Sequence, residues 1–167
     1  MKHKESDLQI RCLKWFRYQY PAYAPLLYHP KNKRNGNRRQ GAIAKAEGVQ
    51  PGVADLILQV PSIVGDELTQ GTYAFNKTNR LCHSLAIELK TKTGRQSKEQ
   101  RRWQRYFEAA GGKYIVIRSY EEFTAQLTTY LDTVLPRIHD DINSTHADIQ
   151  SEADEAARQQ FQKILHP

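Results

Sequence analysis

His83-Ser-Leu-Ala-Ile-Glu-Leu-Lys90 places Leu85, Ile87 and Leu89 at every second position and sets Glu88 and Lys90 between and after them. A period of two is that of a β-strand, whose side chains point to opposite faces in turn. One face is therefore apolar, and the other projects a carboxylate and an ammonium together. Upstream, the Pro51-Gly52 turn introduces a second strand, Asp55-Leu-Ile-Leu-Gln-Val60,. Antiparallel pairing of these two strands brings Asp55, which opens the first, beside Glu88 and Lys90, which end the second. Two carboxylates and a lysine then converge from distant parts of the chain.

Outward from this pair, the flanking segments read as helices and further strands. From Glu5 to Tyr18, Leu8, Cys12, Trp15 and Phe16 recur at helical spacing, and Pro21 ends that helix,. Leu26 to Tyr28 is a short strand and Arg38 to Glu47 a short helix stopped at Gly48. Pro61 to Arg80 is polar, carries Gly65 and Gly71, and reads as a loop closing an antiparallel hairpin,. After a basic turn at Thr91 to Gln96, Ser97 with Gln100 makes a capping box for a helix expected to carry Trp103, Tyr106, Phe107 and Ala110 inward,. Gly111-Gly112 closes it, and Tyr114-Ile-Val-Ile117 is an apolar strand. Ser119 with Glu122 predicts another capping box, for a helix presenting Phe123, Leu127, Tyr130, Leu131 and Val134 and terminated by Pro136,. Residues 1–136 thus form one α/β domain. Residues 137–167 form an acidic tail, with Asp140, Asp141, Asp148, Glu152, Asp154 and Glu155, in which Ile149, Ala153, Phe161 and Ile164 predict a terminal amphipathic helix,.

With 167 residues there is enough chain for one domain with a real core,. The formal charge of +7 favours a polyanionic partner, because Lys and Arg gain free energy by releasing counterions from phosphates,. Lys31, Lys33, Arg34, Arg38 and Arg39 stand among Asn32, Asn35, Gly36 and Asn37 with no acid nearby, a plausible phosphate rail,. Lys92 and Arg95 follow the second strand immediately and are placed to touch the same backbone,. No apolar run approaches the ~20 residues of a membrane span, and the N-terminus leads into no signal core, so a cytoplasmic location is expected. Cys12 and Cys82 have no metal-ligand spacing and are expected to be buried free thiols,.

Asp55, Glu88 and Lys90 suit phosphodiester hydrolysis, since hard oxygen ligands hold Mg²⁺ and a lysine adds a positive contact to the scissile phosphate. Taken alone, an ExK on a strand is an ordinary solvated ion pair, Asp55 a turn cap, and Gln100 a capping residue. Their joint order changes that reading. Gly52-Val-Ala-Asp55, Ile87-Glu-Leu-Lys90, Gly94, Ser97, Gln100 and Trp103 resemble the VRR-NUC family of the PD-(D/E)xK nuclease superfamily, over about Glu5 to Leu131. The resemblance implies an α/β, restriction-endonuclease-like core with a mixed central sheet flanked by helices. It also implies Asp55, Glu88 and the Leu89 carbonyl as ligands of Mg²⁺ or Mn²⁺, Lys90 as the catalytic lysine, Gln100 projecting toward the site, and Glu5 as a helix-one glutamate near it. Ala54 stands where many relatives have Pro.

The free-standing members of that family resemble dimeric resolvases of four-way DNA junctions. The activity so implied is a metal-dependent DNA endonuclease acting on branched DNA as a homodimer. A second reading is a catalytically idle nucleic-acid-binding module, and a third a sequence-specific restriction-type enzyme on the same core. Trp103 and Phe107 read as core rather than as base-stacking platforms, and His29 and His83 have no assigned role.

Overall fold

The computed structural model describes residues 4–30, 38–65 and 80–165. They fall into two units, Met1–Val134 and Leu135–Pro167. In the first, helix α1 spans Lys4–Gln19, and a 3₁₀ segment at Pro21–Leu26 leads into strand β1, Leu27–Tyr28. Helix α2 is Arg38–Ala46, followed by strands β2 (Leu56–Leu58), β3 (Ser62–Val64), β4 (Arg80–Cys82) and β5 (Leu85–Leu89). Helix α3 (Lys98–Ala109), strand β6 (Lys113–Ile117) and helix α4 (Tyr120–Leu131) complete it.

The main sheet has the order β1-β2-β5-β6, with β1, β2 and β5 antiparallel in succession and β5 parallel to β6. The parallel step follows from the crossover through α3, which is long enough to return the chain to the same edge. The alternation in β5 is realised in the packing. Leu85, Ile87 and Leu89 meet Leu56, Leu58 and Ile117 in the core, together with Cys12 and Phe16 of α1 and Phe123, Leu127 and Tyr130 of α4. Helices α1 and α4 pack on each other, and α1 also meets β5. The opposite face carries Ala86, paired with Ile57 and Tyr114, and is covered by Trp103 and Phe107 of α3. Each large side chain fully buried in this way contributes on the order of 1.5–3 kcal/mol. Cys12 and Cys82 are buried and unpaired, and burial pushes the Cys12 thiol up to about 12.

Several sequence expectations need correction. The segment expected to be a loop from Pro61 to Arg80 contains β3, which pairs with β4 as a separate two-stranded ribbon. This ribbon is fastened to the end of α4, where Ser62 Oγ donates to the Tyr130 carbonyl at 2.8 Å and Ile63 N to that of Thr133 at 3.1 Å. Tyr106, expected inward, is 66% exposed, and Ala110 is exposed, because the sheet touches only a narrow arc of α3. The second capping box is half formed: Ser119 Oγ accepts from Glu122 N, but Glu122 Oε2 turns to the main-chain N of Arg118, at 2.7 Å. Ala54 lies fully buried against Ala86 and Tyr114.

The second unit is helix α5, Pro136–Leu165. Pro136 opens it rather than terminating its predecessor, as a residue without an amide proton can at a first helical position. Among the described residues no helix is long and apolar enough to cross a membrane.

Candidate active site

The register of β2 and β5 pairs Leu56 with Ile87. One step further, Asp55 lies opposite Glu88 on the face that α3 covers. Asp55 is held there from both sides. Its Oδ2 accepts the Leu89 amide at 2.9 Å, and its own carbonyl accepts from His29 Nδ1 at 2.5 Å. The turn before it is fixed by Gly52, whose φ of +84° is left-handed and whose Cα sits on the first turn of α3. A Cβ at that position would fall on the Glu99 carbonyl and 2.7 Å from the Gln100 nitrogen, so only glycine allows this approach,.

Glu88 is wholly inaccessible to solvent. A buried carboxylate needs partners, and four groups surround this one. Lys90 Nζ stands 2.6 Å from Oε1. Gln100 Nε2 donates to the same oxygen, and Tyr114 OH donates to Oε2 at 3.1 Å. Asp55 is the fourth, and its charge is repulsive. Burial, reinforced by Asp55, pushes the Glu88 carboxyl up to about 7, with Lys90 and Tyr114 acting against the rise. Burial and the Glu88 charge raise the Tyr114 phenol well above its ordinary value, so it stays a donor.

Gln100 does two tasks at once. Its main-chain N donates to Ser97 Oγ at 3.2 Å and its Oε1 accepts from the Ser97 amide at 2.8 Å, closing the capping box, while its Nε2 donates to Glu88. The cap therefore locks the orientation of the amide that touches the carboxylate.

Of the other residues singled out by sequence, Glu5 reaches the exit of β5, where its Oε1 accepts the Thr91 amide at 3.1 Å, and it makes no hydrogen bond to Asp55 or Glu88. Leu89 buries its side chain in the core. Lys92 and Arg95 are exposed just beyond Lys90. Lys31, Lys33 and Arg34 lie outside the described residues, and Arg38 and Arg39 are described only as the start of α2. Three residues were not foreseen as parts of the site. Tyr114 shares the Glu88 face because its register partner is Ala86, two residues away on that face. His29 reaches Asp55 because β1 lies beside β2. Arg118, at the end of β6, donates through Nη1 to the carbonyls of Thr91 at 2.8 Å and Gly94 at 2.7 Å, pinning the turn after Lys90. None of these partners is local in sequence, so only the register could have revealed them.

Beside Asp55 opens a cleft of about 660 Å³, walled by His29, Lys45, Val49, Val53, Glu99 and Gln100. Among the described residues no three His, Cys, Asp or Glu side chains cluster as a metal cage. The donors brought together here are the two carboxylates, Asp55 and Glu88. That set fits Mg²⁺ or Mn²⁺, since Mg²⁺ commonly takes one or two carboxylates and keeps most of its waters. The mutual repulsion of Asp55 and Glu88 is the kind of charge a divalent cation offsets.

No family model matches the chain, and no curated protein matches it. Among solved structures it is similar to a VRR_NUC domain protein, at 17% identity and a TM-score of 0.58, over 78% of this chain and 89% of that one. The similarity spans most of both chains. The fold, a mixed sheet flanked by helices, is similar to that of a VRR_NUC domain and consistent with a restriction-endonuclease-like α/β core.

Proposed function

We propose that this chain is a divalent-metal-dependent DNA endonuclease that hydrolyses phosphodiester bonds, with Asp55, Glu88, Lys90 and Gln100 at its centre. The observation that carries this reading is a fully buried glutamate set opposite an aspartate, with a lysine ammonium 2.6 Å away. Folding does not require such a cluster, because an apolar residue at position 88 would avoid the desolvation cost. The nuclease neighbour supports the same class of activity for this fold.

Asp55, Glu88 and the Leu89 carbonyl would hold the ion. When bound, Mg²⁺ or Mn²⁺ supplies a lowered water pKa and positive charge at the phosphoryl oxygens. The protein's own groups prepare the rest. Tyr114 and Gln100 fix the two oxygens of Glu88, so the carboxylate pays no reorientation cost when an ion or substrate arrives. Lys90 lies at the mouth of this arrangement, its side chain 12% exposed, and its ammonium can leave Glu88 to hydrogen-bond the scissile phosphate or the attacking water,. Glu5 and Arg118 hold the turn that follows it. The cleft beside Asp55 gives one flanking nucleotide a place with a polar rim, Lys45 and His29, and an apolar floor, Val49 and Val53,.

The basic loop at Lys31, Lys33, Arg34, Arg38 and Arg39, with Lys92 and Arg95, would contact phosphates, which position DNA without reading bases. Selection by DNA structure follows from that, and branched DNA engaged by a homodimer gives each of two strands its own site. The test compares a four-way junction, a flap, a single strand and a linear duplex, with and without divalent ion. Cleavage that needs the ion and is lost in Asp55→Ala, Glu88→Ala and Lys90→Ala supports the endonuclease. Tight metal-independent binding without product would instead identify an idle binding module. Discrete bands from a linear duplex would identify a restriction-type enzyme.

A further inference from the structure

Helix α3 carries two chemistries on opposite sides. Trp103 and Phe107 pack against Ala54, Ala86 and Tyr114, and Gln100 reaches Glu88 from the helix's first turn. At 3.6 residues per turn, Lys98, Arg101, Arg102 and Arg105 fall together within one arc on the far side. All four are exposed.

Several features separate this stripe from an ordinary solvated helix face. Its members are neighbours at i,i+3 and i,i+4, the spacing at which unlike charges stabilise a helix and like charges oppose it. None of the four makes an ion pair among the described residues, where the pairs are Lys90 with Glu88 and Arg137 with Asp141. The acids flanking the stripe form no ion pair with it among the described residues. Glu99 is held chiefly by its own main chain and the Ser97 side chain, with Lys98 and Arg101 adding only a weaker attraction, and Glu108 accepts from Gln104 at 3.1 Å. Two of the cations are also held in place. Arg101 Nη1 donates to the Gln96 carbonyl at 2.6 Å, and the Arg102 guanidinium lies 5.8 Å from the centre of the Tyr106 ring. A shallow hollow of about 630 Å³ runs along the face, lined by the four cations with Gln96 and Gln104, and with one acid, Glu108, at its C-terminal end.

We propose that the outer face of α3 is a track for the phosphodiester backbone of duplex DNA, distinct from the catalytic centre and leading away from it. From Lys98 to Arg105 the stripe extends about 10 Å along the helix axis, at about 1.5 Å per residue. That length matches about three base steps of duplex, at about 3.4 Å per step. Because the first turn of α3 carries Gln100, which touches Glu88, a duplex arm entering or leaving the site continues along this helix. The proposal rests on the reading of the chain as a nuclease. It adds to that reading a second point of contact, which makes the helix that caps the site also the guide of the substrate's arm.

The test is a salt titration of binding by the full chain. Fluorescence anisotropy of a labelled duplex in EDTA is followed from about 50 to 200 mM salt for wild type and for Arg101→Gln/Arg105→Gln. Losing two phosphate contacts should lower the slope of log affinity against log salt by about 1.8, or several tens of fold in affinity near 0.1 M. Arg101→Lys/Arg105→Lys should keep the wild-type slope, because it keeps the charge. Thermal melts of all three report that the exposed substitutions leave the fold in place. A wild-type slope in the Gln pair overturns the track, and so does a wild type that binds no duplex. Cleavage by wild type with an unchanged slope in the Gln pair removes the track and leaves the nuclease standing. A reduced slope with no cleavage on any substrate supports the track and removes the nuclease.

Discussion

The two faces of β5 are built on opposite rules. On one, Leu85, Ile87 and Leu89 disappear beneath α1 and α4 in close apolar contact. On the other, Glu88 is equally buried but is surrounded by a lysine, a phenol, an amide and a second carboxylate. Burial alone therefore does not distinguish a residue that stabilises the core from one proposed to act in catalysis. The distinction lies in what each burial does to folding: the leucine face lowers the free energy of the native state, and the Glu88 face raises it at neutral pH.

Exchanging the two faces' chemistry one residue at a time should separate those roles. The largest effect is expected for Glu88→Gln, which keeps the shape and much of the hydrogen bonding but removes the charge. Cleavage should fall by about 10²–10³-fold, the range seen when a group acting on the transition state is lost. Melting at pH 8 should show a variant no less stable than wild type. Ile87→Ala, one residue away on the opposite face, should do the reverse. It should cost about 2–5 kcal/mol in denaturant unfolding, as cavities left by a buried Ile do, with loss of activity following the unfolded fraction. If Glu88→Gln were the destabilised variant and kept its turnover, the division between the faces would be wrong.

The pH dependence of stability sharpens the same contrast. In the unfolded chain Glu88 releases its proton near the ordinary glutamate value of 4.5, whereas in the native state it holds it to about 7. Between those values the native state binds the extra proton, so stability falls as pH rises through this window and the penalty is complete above it. The local slope approaches about 1.4 kcal/mol per pH unit. Urea unfolding of the metal-free protein from pH 4.5 to 8 should show this decline, and Glu88→Gln should flatten it. A divalent ion should oppose the decline and bind more tightly as pH rises, releasing a proton on binding below about pH 7,. A decline of equal steepness in Glu88→Gln would assign it to other groups.

How much of this was legible in sequence depended on whether the signal was local. The capping box of α3 is written within four residues, Ser97 to Gln100, and forms as read. The faces of β5 follow from simple alternation, and its pairing with β2 from two apolar runs of opposite direction. The β3–β4 ribbon was hidden because each strand has three residues, too few to show a period, and because the strands come from opposite ends of a polar segment. The orientation of Tyr106 was misread since aromatic spacing alone does not tell how wide an arc of a helix the sheet covers. Within the site, Asp55, Glu88, Lys90 and Gln100 could be named from their order. Tyr114 and His29 could not, because each joins through the register of a neighbouring strand.

Arg118 offers the finest test of where the Glu88 face ends. It sits outside the buried cluster, exposed, and touches no carboxylate there, yet its guanidinium spans the carbonyls of Thr91 and Gly94. Glu5 secures the Thr91 amide from the other side, so the turn is held by two charged groups from elements far away in sequence. Lys90 immediately precedes that turn, and an ammonium on a four-carbon stem is only as well placed as the main chain that carries it. Arg118→Ala should cost about 1 kcal/mol of stability, the scale of an exposed charged hydrogen bond. Turnover should fall about 10-fold with KM little changed, because positioning of the lysine acts on the chemical step. Arg118→Lys, which can reach only one carbonyl at a time, should recover part of that loss. If Arg118→Ala raised KM and left kcat intact, the arginine would belong to the DNA-binding surface, and the face organised around Glu88 would end at Lys90 itself.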